Sequence, residues 1–561
     1  MLGTLKLLLL GAIVPQVKAI CPIYGVSFPK PTDLASSPVI QAALQDLNNA
    51  ISQGLETGNS SYSPVISRAA HLVQIFSASS DKPLFEYYHD GATLGNSTGV
   101  KTVDGHSIYR IGSIGKLITV YILLKELGDG YWDIPVTDVV PELRNRTNWV
   151  ENPIDYVKWE DVTLGALASH LSGATRDRYL PGLPPLEPEE EPVCMIFKDP
   201  KAGVSCDRAG FFRALDSRQP VYPPNRTPTY SNTAFVILGY ALESITGRSY
   251  AELFQSLADA LDLTESSVTT PENSRGLIPI DTLSTDWARD LGDMMPAGGH
   301  YMSANDQAKL GRSILRSTIL KANTTRGWLQ PTSFTSDERG FVGRAWEIFR
   351  DNSVPGKGVV DIYTKGGSLG LYSAGLSLVP DWDIGFVTAT AGGAGRSWLP
   401  SYIAEIMFPA FEETARQQAD AAYAGTFAAT NGLNSSITFA TEPGKPGLGV
   451  TSWISNGTDV VATFGEINGD PNFGADGMRL YPSEFSTKGA DGTTNVAWKL
   501  NIYPDESGLR GPFAACATWL AADMWLHGNL NMQHFDFTVD ADGRATKVRP
   551  RAYKVDLERV N

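Results

Sequence analysis

The first 420 residues alternate between two kinds of hydrophobic spacing. Apolar side chains that recur every three or four residues predict helices, and runs of β-branched and aromatic residues between polar turns predict strands. The predicted helices cover residues 33–56, 113–127, 163–171, 233–246, 249–260, 304–319 and 401–421. The predicted strands are a hairpin over residues 71–89, an extended segment over 107–112 and a strand–turn–strand unit over 359–390. Helices and strands mixed in this order predict an α/β (α+β) domain.

The spacing changes near residue 420. Beyond it, short apolar runs alternate with turns rich in Gly, Asn, Asp and Pro, a pattern typical of an antiparallel barrel or sandwich. The predicted strands have the sequences SSITFAT, LGVTSWIS, DVVATFGEI, MRLYPSEF, NVAWKLNIY, QHFDFTVD and TKVRPRAYKVDL. We therefore predict a mixed domain over residues 20–420 and an all-β domain over residues 421–561.

Residues 1–19 have the pattern of a secretory signal peptide. Lys6 supplies a positive charge, residues 7–14 form a short apolar run, and Val17 and Ala19 place small side chains where signal peptidase cleaves. The run is too short to span a bilayer, and no later stretch is long and apolar enough. We expect cleavage after Ala19, a secreted, extracellular protein and no stable insertion into a membrane.

Secretion would make the four cysteines interpretable, because an oxidising compartment allows disulfides. Cys194 and Cys206 are close in sequence and are expected to pair, which leaves Cys21 to pair with Cys516. The other connectivities remain open. Seven Asn-x-Ser/Thr sequences are candidate glycosylation sites. They lie at Asn59, Asn96, Asn145, Asn225, Asn323, Asn434 and Asn456.

Composition narrows the class of partner. The 561 residues are 42% hydrophobic and 19% charged, as in a globular protein, and the formal net charge is -15. A negative charge of this size argues against nucleic acid and anionic membranes as partners. The seven histidines are scattered without the spacing of metal ligands. We therefore expect no metal and no cofactor.

Ser113 and Lys116 form a Ser-x-x-Lys sequence at the start of an apolar helix. Residues i and i+3 share one helix face, so the Lys116 ammonium can reach back to the Ser113 hydroxyl. A serine needs a base to become a nucleophile, and a lysine is one if burial or a nearby cation lowers its pKa. We predict Ser113 as the nucleophile. An N-cap serine beside a solvated lysine is the alternative for this motif alone.

Tyr230-Ser231-Asn232 is the second candidate sequence, at the start of a predicted helix. The Tyr230 phenol could relay protons if nearby lysines favoured its ionised form. The Asn232 amide could hold Lys116 and a substrate carbonyl. Taken alone, the sequence is also explained as an ordinary helix start.

Lys365-Gly366-Gly367-Ser368 is the third, on a predicted strand. Lys365 would add a second cation, and the two glycines would let a substrate approach the strand closely. The N–H groups of Ser368 and Ser113 could form an oxyanion hole. A tight turn with a surface lysine is the alternative.

The order Ser-x-x-Lys, Tyr-x-Asn, Lys-x-Gly resembles the serine β-lactamase and penicillin-binding-protein hydrolases, which include class C β-lactamases, D-alanyl-D-alanine carboxypeptidases and related esterases. The likeness runs from about residue 65 to 415. Segments similar to the family also occur at residues 167–173, 238–254, 296–312 and 366–390. The resemblance implies an acyl-enzyme on Ser113 and an antiparallel sheet flanked by helices with a helical subdomain. The C-terminal β domain resembles, more loosely, the extra domain of several such hydrolases.

Two features bear on the substrate. Gly366 stands where β-lactamases usually carry Thr or Ser, whose hydroxyl often helps to hold a substrate carboxylate. Residues 179–206 would place Glu187 and the run Glu189–Glu191 on a rim beside the site. Both features favour a neutral small-molecule ester, lactone or amide, so an esterase or amidase is predicted. The alternatives are a β-lactamase or D-alanyl carboxypeptidase, an acyltransferase, and a non-catalytic binding protein on the same scaffold.

One rival motif overlaps the third sequence. Residues 366–370 match Gly-x-Ser-x-Gly of the α/β-hydrolases, with His527 or His534 as the partner histidine. That motif must lead into a helix, whereas residues 371–378 are predicted as a strand. An α/β-hydrolase is therefore a minor alternative.

Overall fold

The computed structural model describes residues 22–62, 64–94, 97–176, 207–216, 218–393, 398–469, 474, 477–502 and 518–560. The chain divides into two compact units. The mixed unit comprises Lys30–Val354 and Val359–Thr414. The barrel unit comprises the described residues of 415–560, those of 22–29, and Pro355–Gly358.

The mixed unit is built on an antiparallel sheet. Its described strands are β1 (Ala70–Ser77), β2 (Pro83–His89), β3 (Tyr109–Arg110), β4 (Ser266–Ser267), β5 (Tyr301–Met302), β6 (Ser333–Phe334), β7 (Gly340–Val342), β8 (Glu347–Asp351), β9 (Val360–Leu369), β10 (Tyr372–Val379) and β11 (Ile384–Ala391). Eight of these described strands form one sheet in the order β2-β1-β11-β10-β9-β8-β7-β6, and β3, β5 and β4 form a small second sheet. Every pairing in the large sheet is antiparallel.

Helices cover both faces of the large sheet. Those described are α1 (Pro38–Thr57), α2 (Gly115–Leu127), α3 (Val136–Val139), α4 (Leu164–Ala168), α5 (Arg208–Asp216), α6 (Thr233–Thr246), α7 (Tyr250–Leu261), α8 (Met295–Gly298), α9 (Ala304–Leu315), α10 (Ala322–Trp328) and α11 (Leu399–Tyr423). Helix α11 belongs to this unit as far as Thr414. Successive strand residues point to opposite faces. Val73 and Ile75 of β1 accordingly pack with the cluster that includes α1 and α11, whereas Leu72 and Phe76 pack with the cluster that includes α2 and α9. This confirms the predicted antiparallel sheet flanked by helices.

Helix α2 is the central helix of the mixed unit. Gly115 through Leu124 are all buried, which is the behaviour of a helix that is apolar around its whole circumference. It ends at Gly128, whose positive φ of 78° suits a glycine. A fully buried helix is a rigid support for the groups at its first turn.

The barrel unit is largely β. Its described strands are β12 (Gly425–Ala428), β13 (Ser436–Ala440), β14 (Leu448–Ser455), β15 (Thr458–Asp459), β16 (Met478–Lys488), β17 (Thr494–Ile502), β18 (Leu526–His527), β19 (Leu530–Asn531), β20 (His534–Val539), β21 (Ala545–Pro550) and β22 (Leu557–Arg559). The main sheet runs β13-β12-β22-β21-β20-β17-β16-β14-β15, and an additional pairing of β13 with β14 closes it. Phe427, Phe439, Trp498 and Phe537 are buried inside. Of the predicted barrel or sandwich, the structure shows a closed barrel.

One predicted strand in this unit is wrong. The run DVVATFGEI forms helix α12 (Val460–Asn468) instead. The Asp459 carboxylate accepts a hydrogen bond from Ala462 N at 3.0 Å, and Gly469 adopts a φ of 67° after the last turn. An N-cap aspartate and a C-terminal glycine are helix signals, and here they outweigh the β propensity of the valines. The second short helix described in this unit is α13 (Thr518–Ala521).

Several predictions fall on residues outside the described part of the chain. These are the signal peptide, all four cysteines with both proposed disulfides, the sequon at Asn96 and the whole acidic segment 179–206. The other six sequon asparagines are described, and each is exposed. Among the described residues, no helix combines the length and apolar character needed to cross a membrane.

Candidate active site

Ser113 lies in a single 3-10 turn, Gly112–Ile114, that joins β3 to α2. The sequence predicts that Ser113 opens the α-helix, but the structure starts α2 two residues later, at Gly115. Gly112 has a φ of 51°, and a Cβ on it would lie 2.7 Å from Ser368 N. Glycine is therefore required here, and the turn holds Ser113 against the strand that carries Ser368.

Lys116 is fully buried in the first turn of α2. Its Nζ donates to Ser113 Oγ at 3.1 Å, to Asn232 Oδ1 at 2.5 Å and to Ala297 O at 2.6 Å. Two of these acceptors come from the start of α6 and from α8, so tertiary contacts fix the ammonium beside the serine. The interpretation of Lys116 as a solvated surface lysine is excluded.

Tyr230 lies two residues before Asn232, the N-cap residue of α6. Its neighbour Ser231 stabilises the start of that helix. Ser231 Oγ accepts from Ala234 N at 3.0 Å and donates to Thr175 O at 2.8 Å. The Tyr230 side chain is hydrogen-bonded to Ser113 and Lys116. The predicted helix start and the predicted site therefore coexist in one short segment.

Two lysines determine the ionisation of Tyr230. The Nζ atoms of Lys116 and Lys365 lie 5.0 Å and 5.2 Å from the centroid of the Tyr230 ring. Burial raises the pKa of the phenol, but the charges of Lys365 and Lys116, with hydrogen bonds from Ser113 and Lys116, outweigh burial and lower it to about 8. A phenol with this pKa can exchange a proton near neutral pH.

Lys365 is buried on β9 and is paired with Glu347. Its Nζ lies 2.6 Å from Glu347 Oε1 and 2.7 Å from Gly366 O. Burial would lower the pKa of Lys365, but the Glu347 carboxylate holds it above its usual value. Burial would likewise raise the pKa of Glu347, and Lys365 holds it below its usual value. Both groups are therefore charged at neutral pH.

Gly367 permits the close approach of β9 to the serine. A Cβ on Gly367 would overlap Ile111 O and would lie 2.7 Å from Ser113 N. Gly366, in contrast, is exposed, and of the described residues only Glu347, through Oε2, would lie within 4 Å of a Cβ there. The backbones of Ser113 and Ser368, predicted to form the oxyanion hole, are thereby brought together.

Sequence reasoning missed two residues that contact this group. Glu347 begins the short strand β8 and pairs in register with Thr364, so its position was visible only from a predicted β8–β9 pairing. His170 belongs to the family-like segment 167–173. Its ring stacks on Tyr230 with a centroid separation of 4.4 Å, and its Nδ1 accepts from Ser231 N at 3.2 Å. Burial, then the charges of Lys116 and Lys365, hold the pKa of His170 well below its usual value, so the ring is neutral.

The Gly-x-Ser-x-Gly alternative does not survive. Ser368 is near the end of β9, which turns at Gly370 directly into β10. A nucleophile elbow requires a helix after the serine. Ser368 therefore lacks the setting of an α/β-hydrolase nucleophile.

Known protein families match both parts of the chain. A family model described as "Beta-lactamase" matches residues 81–398, and one described as "Beta-lactamase-like-like, C-terminal domain" matches residues 415–561. A "Beta-lactamase-like protein" of Arthroderma benhamiae is 28% identical over 94% of both chains. A "Probable hydrolase M10" of a Phoma species is 26% identical over 69% of this chain and 67% of its own.

Two solved structures are also similar to the chain. A β-lactamase/D-alanine carboxypeptidase from Yersinia pestis has a TM-score of 0.48 and 18% identity, covering 67% of this chain and 99% of its own. A class C β-lactamase from Rhodobacter sphaeroides has a TM-score of 0.45 and 19% identity, covering 66% of this chain and 97% of its own.

Proposed function

Because the chain belongs to the beta-lactamase family, we propose that it is a serine hydrolase in which Ser113 forms a covalent acyl-enzyme. One observation carries this proposal: Ser113 Oγ shares hydrogen bonds with a fully buried lysine and with a tyrosine whose pKa is about 8. The phenolate form of this tyrosine can remove the proton of the serine hydroxyl and later return it. The intact set of partners favours an enzyme over a non-catalytic binding protein on this scaffold.

Acylation begins with a proton transfer. The Tyr230 phenolate, stabilised by Lys116 and Lys365, accepts the proton of Ser113 Oγ as that oxygen bonds to the substrate carbonyl carbon. The oxyanion that forms accepts hydrogen bonds from the N–H groups of Ser113 and Ser368. Tyr230 then donates the proton to the departing alcohol or amine, leaving the acyl ester on Ser113.

Deacylation uses the same groups in reverse. The Tyr230 phenolate takes a proton from water, whose oxygen attacks the acyl carbonyl, and Ser113 Oγ leaves with that proton restored to it. The products are the free acid and the starting enzyme. Asn232, bonded to Lys116, keeps the ammonium in place through both halves.

For the substrate class we propose a neutral ester, lactone or amide. Gly366 offers no side-chain hydroxyl to hold a carboxylate, which supports this preference over a penicillin or a peptide with a free carboxylate. The test is turnover of short-chain aryl esters, a chromogenic cephalosporin and a D-alanyl peptide by the purified protein. We expect kcat/KM to be highest for a neutral ester. A higher value for the cephalosporin or the peptide would replace the esterase proposal with the β-lactamase or carboxypeptidase alternative.

We also propose that the protein is secreted. The leader-like residues 1–19 and the exposure of all six described sequon asparagines support this proposal. Expression in a eukaryotic secretory host should yield protein in the medium whose mass falls on treatment with an N-glycosidase. Retention inside the cells at the mass of the unprocessed chain would contradict it.

A further inference from the structure

Strand β9 loses its neighbour beside the candidate site. Its pairing with β8 ends where Thr364 faces Glu347, so residues 365–368 extend beyond the end of β8. Glu347 is the first residue of β8 and therefore lies where, among the described residues, the unpaired part of the β9 edge begins. A substrate that reaches Ser113 along this edge passes the Glu347 side chain.

The Glu347 carboxylate binds both a side chain and the backbone of β9 at this point. Its Oε1 accepts from Lys365 Nζ at 2.6 Å, and its Oε2 accepts from Gly366 N at 3.1 Å. It therefore occupies both a cation and a backbone donor that an anionic substrate would otherwise use.

The Glu347 side chain is more exposed than the cation with which it pairs. The Lys365 side chain is 1% exposed, whereas that of Glu347 is 36% exposed. An ammonium has three N–H donors, and Lys365 directs them to Glu347, Gly366 O and Tyr230. Lys365 keeps no donor for a substrate, whereas each carboxylate oxygen of Glu347 can accept a further hydrogen bond.

We propose that Glu347 is the specificity-determining residue of this site, an internal carboxylate that excludes substrates bearing a negative charge next to the scissile carbonyl. The inference rests on the proposed acyl-enzyme function and deepens it. Uncharged acyl groups fit into the space that the described residues leave beside Gly366 at no electrostatic cost. A substrate carboxylate there meets a fixed like charge, which disfavours it.

The test compares two esters that differ only in a carboxamide or a carboxylate on the carbon next to the scissile carbonyl. The variants are Glu347→Gln and, as a matched control, Asp351→Asn. The control removes the same charge from the other end of β8, about 13 Å away. Arg176, an exposed cation 4.6 Å from the Tyr230 ring centroid, is unchanged in both variants.

In Glu347→Gln the ratio of kcat/KM for the carboxylate ester to that for the carboxamide ester should rise at least ~10-fold, or about 1.4 kcal/mol. In Asp351→Asn the ratio should stay at the wild-type value. The pH profile gives a readout that a merely structural lesion would not move. In Glu347→Gln the carboxylate no longer offsets the charge of Lys365, so the pKa of Tyr230 should fall. The rise of kcat/KM with pH should therefore occur at lower pH than in the wild type.

Should Glu347→Gln fail to fold, Glu347→Ala is measured in the same assay, with folding checked by thermal unfolding. An unchanged ester ratio in a folded Glu347 variant that still acylates Ser113 overturns this inference and leaves the proposed function standing. A wild-type protein that never acylates Ser113 overturns the proposed function itself.

Discussion

Replacing Lys365 with Met should move the pH dependence of turnover to higher pH. The active form of the base is the Tyr230 phenolate, so kcat/KM should rise with pH through the pKa of the coupled Tyr230–Lys116–Lys365 group, about 8 in the wild type. Lys365 Nζ lies 5.2 Å from the ring centroid. At an effective dielectric constant of about 20, one charge at this distance stabilises the phenolate by ~3 kcal/mol. Its loss should raise the pKa by ~2 units, to about 10.

The effect should be large near neutral pH and small in alkali. At pH 7 the ionised fraction falls from roughly a tenth to roughly a thousandth, so kcat/KM should drop ~100-fold. The drop should shrink as the pH approaches 10. The assay is hydrolysis of a neutral aryl ester from pH 6 to 10.5 under conditions of low substrate, which report the free enzyme.

Lys158→Met is the matched control. Lys158 is 39% exposed and pairs with Asp161 at 2.9 Å, and it is not among the groups that shift the pKa of Tyr230. Its profile should keep the midpoint near 8. A folded Lys365→Met protein whose midpoint also stays near 8, or moves to lower pH, would refute the role given to Tyr230.

Two further predictions concern coupling and close packing. Lys116→Ala and Tyr230→Phe should each lower kcat by orders of magnitude, and the double variant should lose far less than the product of the two losses, because both act on one proton; strict multiplicativity of the two effects in the kinetic assay would contradict a shared network. Gly367→Ala should slow the labelling of Ser113 by a fluorophosphonate and lower the melting temperature, since its Cβ would overlap Ile111 O. Gly366→Ala should change neither strongly. Equal behaviour of the two alanine variants would argue against the close approach of β9.

The sequence predicted the elements that depend on regular spacing. The buried helix behind Ser113 follows from apolar periodicity, and Lys116 follows from helix geometry. The strand–turn–strand unit predicted over 359–390 contains three strands in the structure, β9, β10 and β11. The order of the three motifs then identified the family, which the family model confirms. Periodicity reports the environment of residues that are near one another in the sequence, and these elements depend on such local patterns.

Features that depend on register between distant segments were not predicted. Glu347 reaches Lys365 because β8 stops pairing with β9 at Thr364, and no local pattern encodes that end point. His170 contacts Tyr230 because two segments that lie 60 residues apart in the sequence pack together. The strand predicted for the run DVVATFGEI is wrong for the opposite reason. The capping residues of α12, Asp459 and Gly469, are visible in the sequence, but the β propensity of the valines favoured a strand.

The central claim, that Ser113 carries the acyl group, is tested most directly by trapping the adduct. Wild-type protein, Ser113→Ala and Ser368→Ala are each mixed with an activated aryl ester, quenched in acid within the first turnover and digested for peptide mass spectrometry. We predict that the acyl mass lies on the Ser113 peptide in the wild type and in Ser368→Ala, and that it is absent from Ser113→Ala, which has no activity. Full activity of Ser113→Ala, or an acyl group found on Ser368, would contradict the account.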